Sequence, residues 1–226
     1  MRFKDVFSII GPSMIGPSSS HTAGAIRLGR VARQLFGQQP DKAELTFYGS
    51  FADTYRGHGT DLAIVGGLLD YETDNSRIPD SLEDAEAAGV EIVFHTSKGL
   101  TVHPNTAKIV LYAGGQELSM VGASIGGGNI EILGINQFDL KFTGEFPTLV
   151  VSHHDRPGMI ADITAILQKH NVNIGYMDLD RKGRDGDAMT VIEADSVITD
   201  ELIGEILRLS EVDGVKIVDL KERGQS

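Results

Sequence analysis

The last eighty or so residues carry six consecutive secondary-structure cues, and their order leaves few folds open. Residues 146–152 form a short apolar run suited to a strand. Pro157-Gly158 then opens a stretch in which Ile160, Ile163, Ile166 and Leu167 recur at helical spacing, with proline at its usual helix-start position. Asn171 and Asn173 close that helix. Residues 174–180 and 188–195 read as two strands around the turn Lys182-Gly183-Arg184-Asp185-Gly186. Thr199 is a cap with Asp200 and Glu201 in the first helical turn, and Leu202, Ile206 and Leu209 form the apolar stripe behind it. Val215, Ile217 and Leu220 follow Asp213-Gly214 as a last strand. The order β-α-β-β-α-β is the split βαβ arrangement of a ferredoxin-like sandwich.

The preceding residues are less regular. Glycine is abundant at 27 residues, and its clusters at 11–16, 57–67, 114–115 and 122–128 all fall before residue 145. The spacing predicts helices over 22–36 and 61–69, and strands over 42–48, 90–95, 107–113, 116–121 and 129–134. The chain of 226 residues therefore reads as α+β in two domains: a mixed domain over 1–143 and a ferredoxin-like domain over 146–222, divided near Thr143-Gly144-Glu145.

Composition removes several function classes. A net charge of −12 without a basic stripe argues against nucleic acid as a partner. No apolar run is long enough to span a bilayer. The stretch 6–10 lacks a following small-residue cleavage site, so no signal peptide is read and the expected location is the cytoplasm. The sequence contains no cysteine, which rules out disulfides, a thiolate nucleophile and an iron–sulfur cluster on this chain's own thiolates.

Five segments could carry chemistry. In Gly16-Pro17-Ser18-Ser19-Ser20-His21-Thr22, hydroxyls precede a histidine at a helix start, which makes either an anion cradle or a plain capped helix. In Gly57-His58-Gly59-Thr60-Asp61, flanking glycines let a ligand approach the histidine, and Thr60 or Asp61 could cap the helix that follows. His103-Pro104-Asn105-Thr106 has turn composition between two strands, and turn chemistry is the first reading of it. Ser124-Ile125-Gly126-Gly127-Gly128 is a bulge, a flexible loop or a backbone surface for a small ligand. Asp155-Arg156-Pro157-Gly158 is a helix start or a small-molecule or ion site. His21, His58 and His103 do not have the spacing of a known metal motif and are read first as polar and acid–base groups, with no metal assigned.

Together, the first four segments, in their order and separation, resemble the β portion of bacterial iron–sulfur L-serine dehydratases, and Asp155-Arg156-Pro157-Gly158 with the β-α-β-β-α-β pattern resembles an ACT domain. The resemblance covers nearly the whole chain. It implies an N-terminal domain of the allosteric-substrate-binding type, a fold also found in some phosphoglycerate dehydrogenases. It implies the β chain of the two-chain form, whose cysteine-bearing α subunit holds a 4Fe-4S cluster. The implied activity is deamination of L-serine to pyruvate and ammonia, by an L-serine ammonia-lyase active only with the α subunit.

On that reading His58 and His103 are the catalytic pair, reaching the cluster across the subunit interface, one as general base and the other polarising. Ser18, Ser19, Ser20, His21, Thr60, Asp61, Asn105 and Ser124 bind substrate. Asp155, Arg156, Pro157 and Gly158 form a regulatory site, with a monovalent cation (K+) as its implied ligand. Homodimerisation through this subunit is also expected, because ACT domains pair by open sheet edges. The turn departs from the family in one respect: it reads His-Pro-Asn-Thr where single-chain members have His-Pro-Asn-Gly, so a local backbone difference is expected at Thr106. Two other classes compete: a non-catalytic amino-acid sensor, and a metal hydrolase using the three histidines.

Overall fold

The computed structural model describes residues 13–16, 18–183 and 186–221. The N-terminal apolar stretch 6–10, Gly11, Pro17 of the first segment, and Arg184 and Asp185 of the 182–186 turn lie outside the described residues. The chain forms two compact units, one running to Asn136 and the other from Gln137 to Lys221.

The first unit is built on a five-stranded sheet. Its strands are β1 (Lys42–Tyr48), β2 (Glu91–Ser97), β3 (Thr106–Ala113), β4 (Gln116–Gly126) and β5 (Asn129–Ile135), in the order β2-β1-β3-β4-β5. Only β1 and β2 are parallel. A parallel pair needs a long crossover. Here it contains three helices: α2 (Gly49–Thr54), α3 (Thr60–Leu68) and α4 (Ser81–Ala87). Strand β1 alternates as a half-buried strand should, with Ala43, Leu45 and Phe47 fully buried and the residues between them half-exposed.

Helix α1 (Gly24–Phe36) is entered through a π-helical turn, Ser19–Ala23, and ends at Gly37, whose φ is 79°. Its buried Ile26, Leu28, Val31, Ala32 and Leu35 pack into the core. Helices α1 and α3 approach backbone to backbone. A Cβ at Gly67 would lie 2.1 Å from the Ile26 carbonyl oxygen, so only glycine permits the crossing.

The second unit contains β6 (Thr148–His154), α5 (Met159–Lys169), β7 (Ile174–Arg181), β8 (Asp187–Ala194), α6 (Asp200–Leu207) and β9 (Val212–Val218). The antiparallel sheet order is β7-β8-β6-β9, the ferredoxin-like topology the cues predict. Met159, Ile163 and Leu167 of α5 and Leu202 and Ile206 of α6 pack against Leu149, Val151 and Ile192 on one face of the sheet.

The opposite face is crossed by the segment 138–144. Its Phe138, Leu140 and Phe142 are buried. Alternate backbone N–H groups are taken by carboxylates: Asp139 donates to Asp180 at 2.8 Å, Lys141 to Asp178 at 2.9 Å and Thr143 to Glu193 at 2.8 Å.

Several local expectations are corrected. Helices α2 and α4 have no counterpart among the predicted elements, and β4 runs five residues beyond the predicted 121, to Gly126, taking the glycine-rich segment into a bulged hairpin. Pro157 is not the first helical residue. Helix α5 starts at Met159, with Gly158 at its N-cap in the left-handed region. Neither Thr60 nor Asp61 is the N-cap of α3; Gly59, at φ 68°, occupies that position. Thr199 caps α6 as its position suggests, accepting the N–H of Leu202 at 3.3 Å. Among the described residues no helix is long and apolar enough to cross a membrane.

Candidate functional site

His21 is the buried centre of the first unit's polar cluster, with 8% of its surface exposed. The π-helical turn brings it back towards Ser18, whose Oγ accepts the His21 N–H at 3.3 Å and lies 3.3 Å from His21 Nδ1. On the other side of the ring, Nε2 faces α2, with Thr54 Oγ1 at 3.1 Å and Ser50 Oγ at 3.4 Å. Phe51 meets the ring edge-on, with centroids 5.2 Å apart. Burial, and secondly the neighbouring His58, hold the His21 imidazole below its ordinary value, so the ring is neutral at neutral pH. Ser19 and Ser20 are half-buried within the turn. Thr22 Oγ1 is buried without a hydrogen-bond partner among the described residues.

His58 is exposed, on the turn between α2 and α3, and its ring stands edge-to-face on His21 at a centroid distance of 4.7 Å. Its N–H donates to the Thr54 carbonyl at 3.0 Å, which fixes the turn to the end of α2. Next to it, at the start of α3, Thr60 is fully buried and its Oγ1 has no partner among the described residues. A buried unpaired hydroxyl is costly and marks a place where a ligand can supply the missing bond. Asp61 is half-exposed. Burial raises its carboxyl, and the Leu62 N–H, which donates to Oδ1 at 2.9 Å, opposes that.

The His103 turn docks on the same elements. Its Nδ1 accepts the Asn105 N–H at 3.1 Å, and Thr106 Oγ1 donates to the His103 carbonyl at 2.6 Å, so threonine closes the turn through its side chain. The Pro104 carbonyl accepts the Phe51 N–H at 3.4 Å, which seats the turn on the start of α2. The Asn105 carbonyl accepts the Ser124 N–H at 2.9 Å. Ser124 is fully buried against Gly24 of α1, and its Oγ has no partner among the described residues. Arg27 Nη1 donates to the Gly128 carbonyl at 2.9 Å and ties α1 to the hairpin tip.

The four N-terminal segments thus meet through α1, α2 and the β4–β5 hairpin. Ser50, Phe51 and Thr54 belong to this cluster and were not singled out from the sequence. Their only local signal is a pair of hydroxyls four residues apart, on a six-residue helix that no apolar pattern announces.

Two shallow hollows, about 320 and 360 Å3, lie at Asp41 with residues 112–117 and at residues 164–174, away from all four segments. Around the cluster, Leu100, Val102 and Ile125 point outward at 104%, 88% and 47% exposure, beside His103 and Ser124.

In the second unit the 155–158 turn is held by charge. Asp155 Oδ2 pairs with Arg181 at 2.9 Å, and Arg156 Nη2 with Asp162 at 2.7 Å. Arg156 Nε lies 3.1 Å from Glu211 Oε2, at an angle too poor for a hydrogen bond. Pro157 and Gly158 are exposed. Among the described residues no group of three or more histidine, aspartate and glutamate side chains is placed to hold a metal ion.

The family described as "Serine dehydratase beta chain" matches residues 3–89, and the ACT domain family matches residues 147–211. A protein described as "Probable L-serine dehydratase, beta chain" from Bacillus subtilis (strain 168) is 49% identical over 97% of this chain and 100% of its own length. The "L-serine dehydratase, beta chain" of Peptoniphilus asaccharolyticus is 37% identical over 95% of this chain and 97% of its own. A D-3-phosphoglycerate dehydrogenase from Synechocystis is 27% identical over 82% of this chain and 34% of its own length.

Proposed function

Because this chain belongs to the L-serine dehydratase beta-chain family, we propose that it is the β subunit of an L-serine ammonia-lyase that converts L-serine to pyruvate and ammonia. The observation that carries the proposal is the convergence of exposed His58, buried His21, the His103–Asn105 turn and buried Ser124 in one cluster, joined by the Phe51–Pro104 and Ser124–Asn105 backbone bonds.

The chain's residues do not fit a cluster of their own, since there is no cysteine and no metal-holding group among the described residues. The 4Fe-4S cluster is therefore assigned to a cysteine-bearing α subunit, where it would supply a Lewis acid for the departing β-hydroxyl. The exposed Leu100, Val102 and Ile125 support a partner over this cluster, because apolar side chains left in water next to a polar site mark contact surfaces.

Dehydration requires loss of the α proton of serine and departure of its hydroxyl. The resulting aminoacrylate takes up a proton as it becomes the imine, which water hydrolyses to pyruvate and ammonia. His58 suits the proton acceptor: it is exposed and is supported from behind by a neutral ring. His103 suits the polarising role. Its Nδ1 is occupied as an acceptor of the Asn105 N–H, which leaves Nε2–H as the ring's donor. Thr60 and Ser124 offer buried hydroxyls, without a partner among the described residues, for the substrate carboxylate.

The ACT unit is assigned assembly and regulation. Its edge strand β7 exposes Tyr176, Met177 and Leu179, which suits pairing with a second copy. For the 155–158 turn the regulatory reading rests on its exposed backbone at Pro157 and Gly158, whose carbonyls would serve a monovalent cation.

The test is co-expression with the α subunit and an oxygen-free assay for pyruvate from L-serine. Turnover by the pair, with none from either chain alone, is expected. Stable association without turnover would favour an amino-acid sensor instead.

A further inference from the structure

Thr54 Oγ1 lies 2.7 Å from the Ser50 carbonyl and 3.1 Å from His21 Nε2. A hydroxyl has one proton. The carbonyl can only accept, so that proton is committed to it, and Thr54 Oγ1 is left as an acceptor towards Nε2. The His21 ring must then carry its proton on Nε2. Its Nδ1 is an acceptor and faces Ser18 Oγ, whose own lone pair already takes the His21 N–H. Ser50 Oγ, 3.4 Å from Nε2, can accept from the same Nε2–H, whereas an unprotonated Nε2 would set its lone pair against that of the Thr54 oxygen at 3.1 Å.

We infer that Thr54 is a positioning residue: it fixes buried His21 as the Nε2–H tautomer and so holds the ring on which His58 rests. His21 is then not a proton acceptor in the reaction. Both nitrogens are engaged and the side chain is buried, whereas His58 is exposed. The inference deepens the reading of His58 as a reacting group and rests on it for the consequence on turnover, but the tautomer itself does not depend on that reading.

The experiment uses the full chain, labelled with nitrogen-15, at neutral pH without the α subunit, and reads the histidine ring nitrogens by long-range proton–nitrogen correlation. His21 should show a protonated Nε2 and an unprotonated Nδ1. Thr54→Ser, which keeps the acceptor, should preserve this pattern. Thr54→Val, which keeps the shape, should leave ring nitrogens averaged between tautomers and should move the His58 ring-proton shifts. In the assembled enzyme Thr54→Val should lower kcat roughly ten-fold or more with KM little changed, and Thr54→Ser should restore it. An Nδ1–H or doubly protonated His21, or a valine variant that keeps the wild-type pattern, overturns the tautomer assignment. A lost tautomer with normal turnover overturns the positioning role. A wild-type pair that makes no pyruvate while His21 shows the expected tautomer sinks the functional reading instead.

Discussion

Gly24 and Ser124 leave no room between them: a Cβ at position 24 would lie 2.1 Å from Ser124 Oγ and 2.7 Å from its Cβ. By helix propensity alone, Gly24→Ala at the start of α1 would gain up to about 1 kcal/mol. The contact reverses the sign, because Ser124 cannot retreat: its N–H is bound to the Asn105 carbonyl. Gly24→Ala is expected to lower both the unfolding midpoint in urea and turnover in the assembled enzyme. The double change Gly24→Ala, Ser124→Gly should recover much of the stability and none of the activity. Recovery of both would mean that the Ser124 hydroxyl has no part in the site.

The neutral His21 ties stability to pH. Its native value is lowered by burial and then by His58, while in the unfolded chain it titrates near 6.5. Between the lowered native value and 6.5 the unfolded state binds more protons, so stability rises with pH through that window and levels off above it. Urea unfolding at several pH values should show this slope, reduced in His21→Asn. Asp180, held low chiefly by Lys182, and Glu205, held low chiefly by Lys169, act in more acid solution. Their stabilisation is present above the ordinary carboxyl range and is lost as pH falls through their lowered native values.

Leu100 and Val102 are exposed beside His103 and make no contribution to a core. Replacing both with serine should leave the unfolding midpoint of the chain within about 0.5 kcal/mol of its original stability. The same change should weaken co-purification with the α subunit. Unchanged association would move the contact surface elsewhere.

Glu193 accepts from Thr143 N–H at 2.8 Å, Thr143 Oγ1 at 2.6 Å and Gly144 N–H at 3.2 Å, and is itself 2% exposed. Glu193→Ala strands three donors and should cost roughly 2–4 kcal/mol in denaturant unfolding, with faster hydrogen exchange over 139–144. A cost well under about 1 kcal/mol would show that Phe138, Leu140 and Phe142 hold the segment without the carboxylate.

The second unit was legible because its cues are local: Ile163 and Leu167 recur at helical spacing, Thr199 caps its own helix, and turns carry glycine and asparagine. The segment over its open face was not. Phe138, Leu140 and Phe142 alternate as a strand does, but the backbone N–H groups of Asp139, Lys141 and Thr143 between and beside them go to side-chain carboxylates on β7 and β8, which no local pattern encodes. In the first unit the polar segments stood out by residue type, whereas their meeting depends on bonds between distant positions, such as Phe51 with Pro104. Thr54 had no signal of its own, since its role exists only because His21 folds back against α2 from 33 residues away. The glycine-rich 122–128 stretch resolved into a bulged hairpin because β4 keeps its pairing past Gly122.

The most direct measurement is pyruvate release from L-serine, without oxygen, by α-subunit complexes carrying His58→Gln or His103→Gln, each first shown to co-purify as the unaltered pair does. The account predicts a loss of roughly a hundred-fold or more in kcat for His58→Gln, in keeping with removal of a general base, and a smaller loss for His103→Gln. Near-normal turnover in both complexes would contradict it.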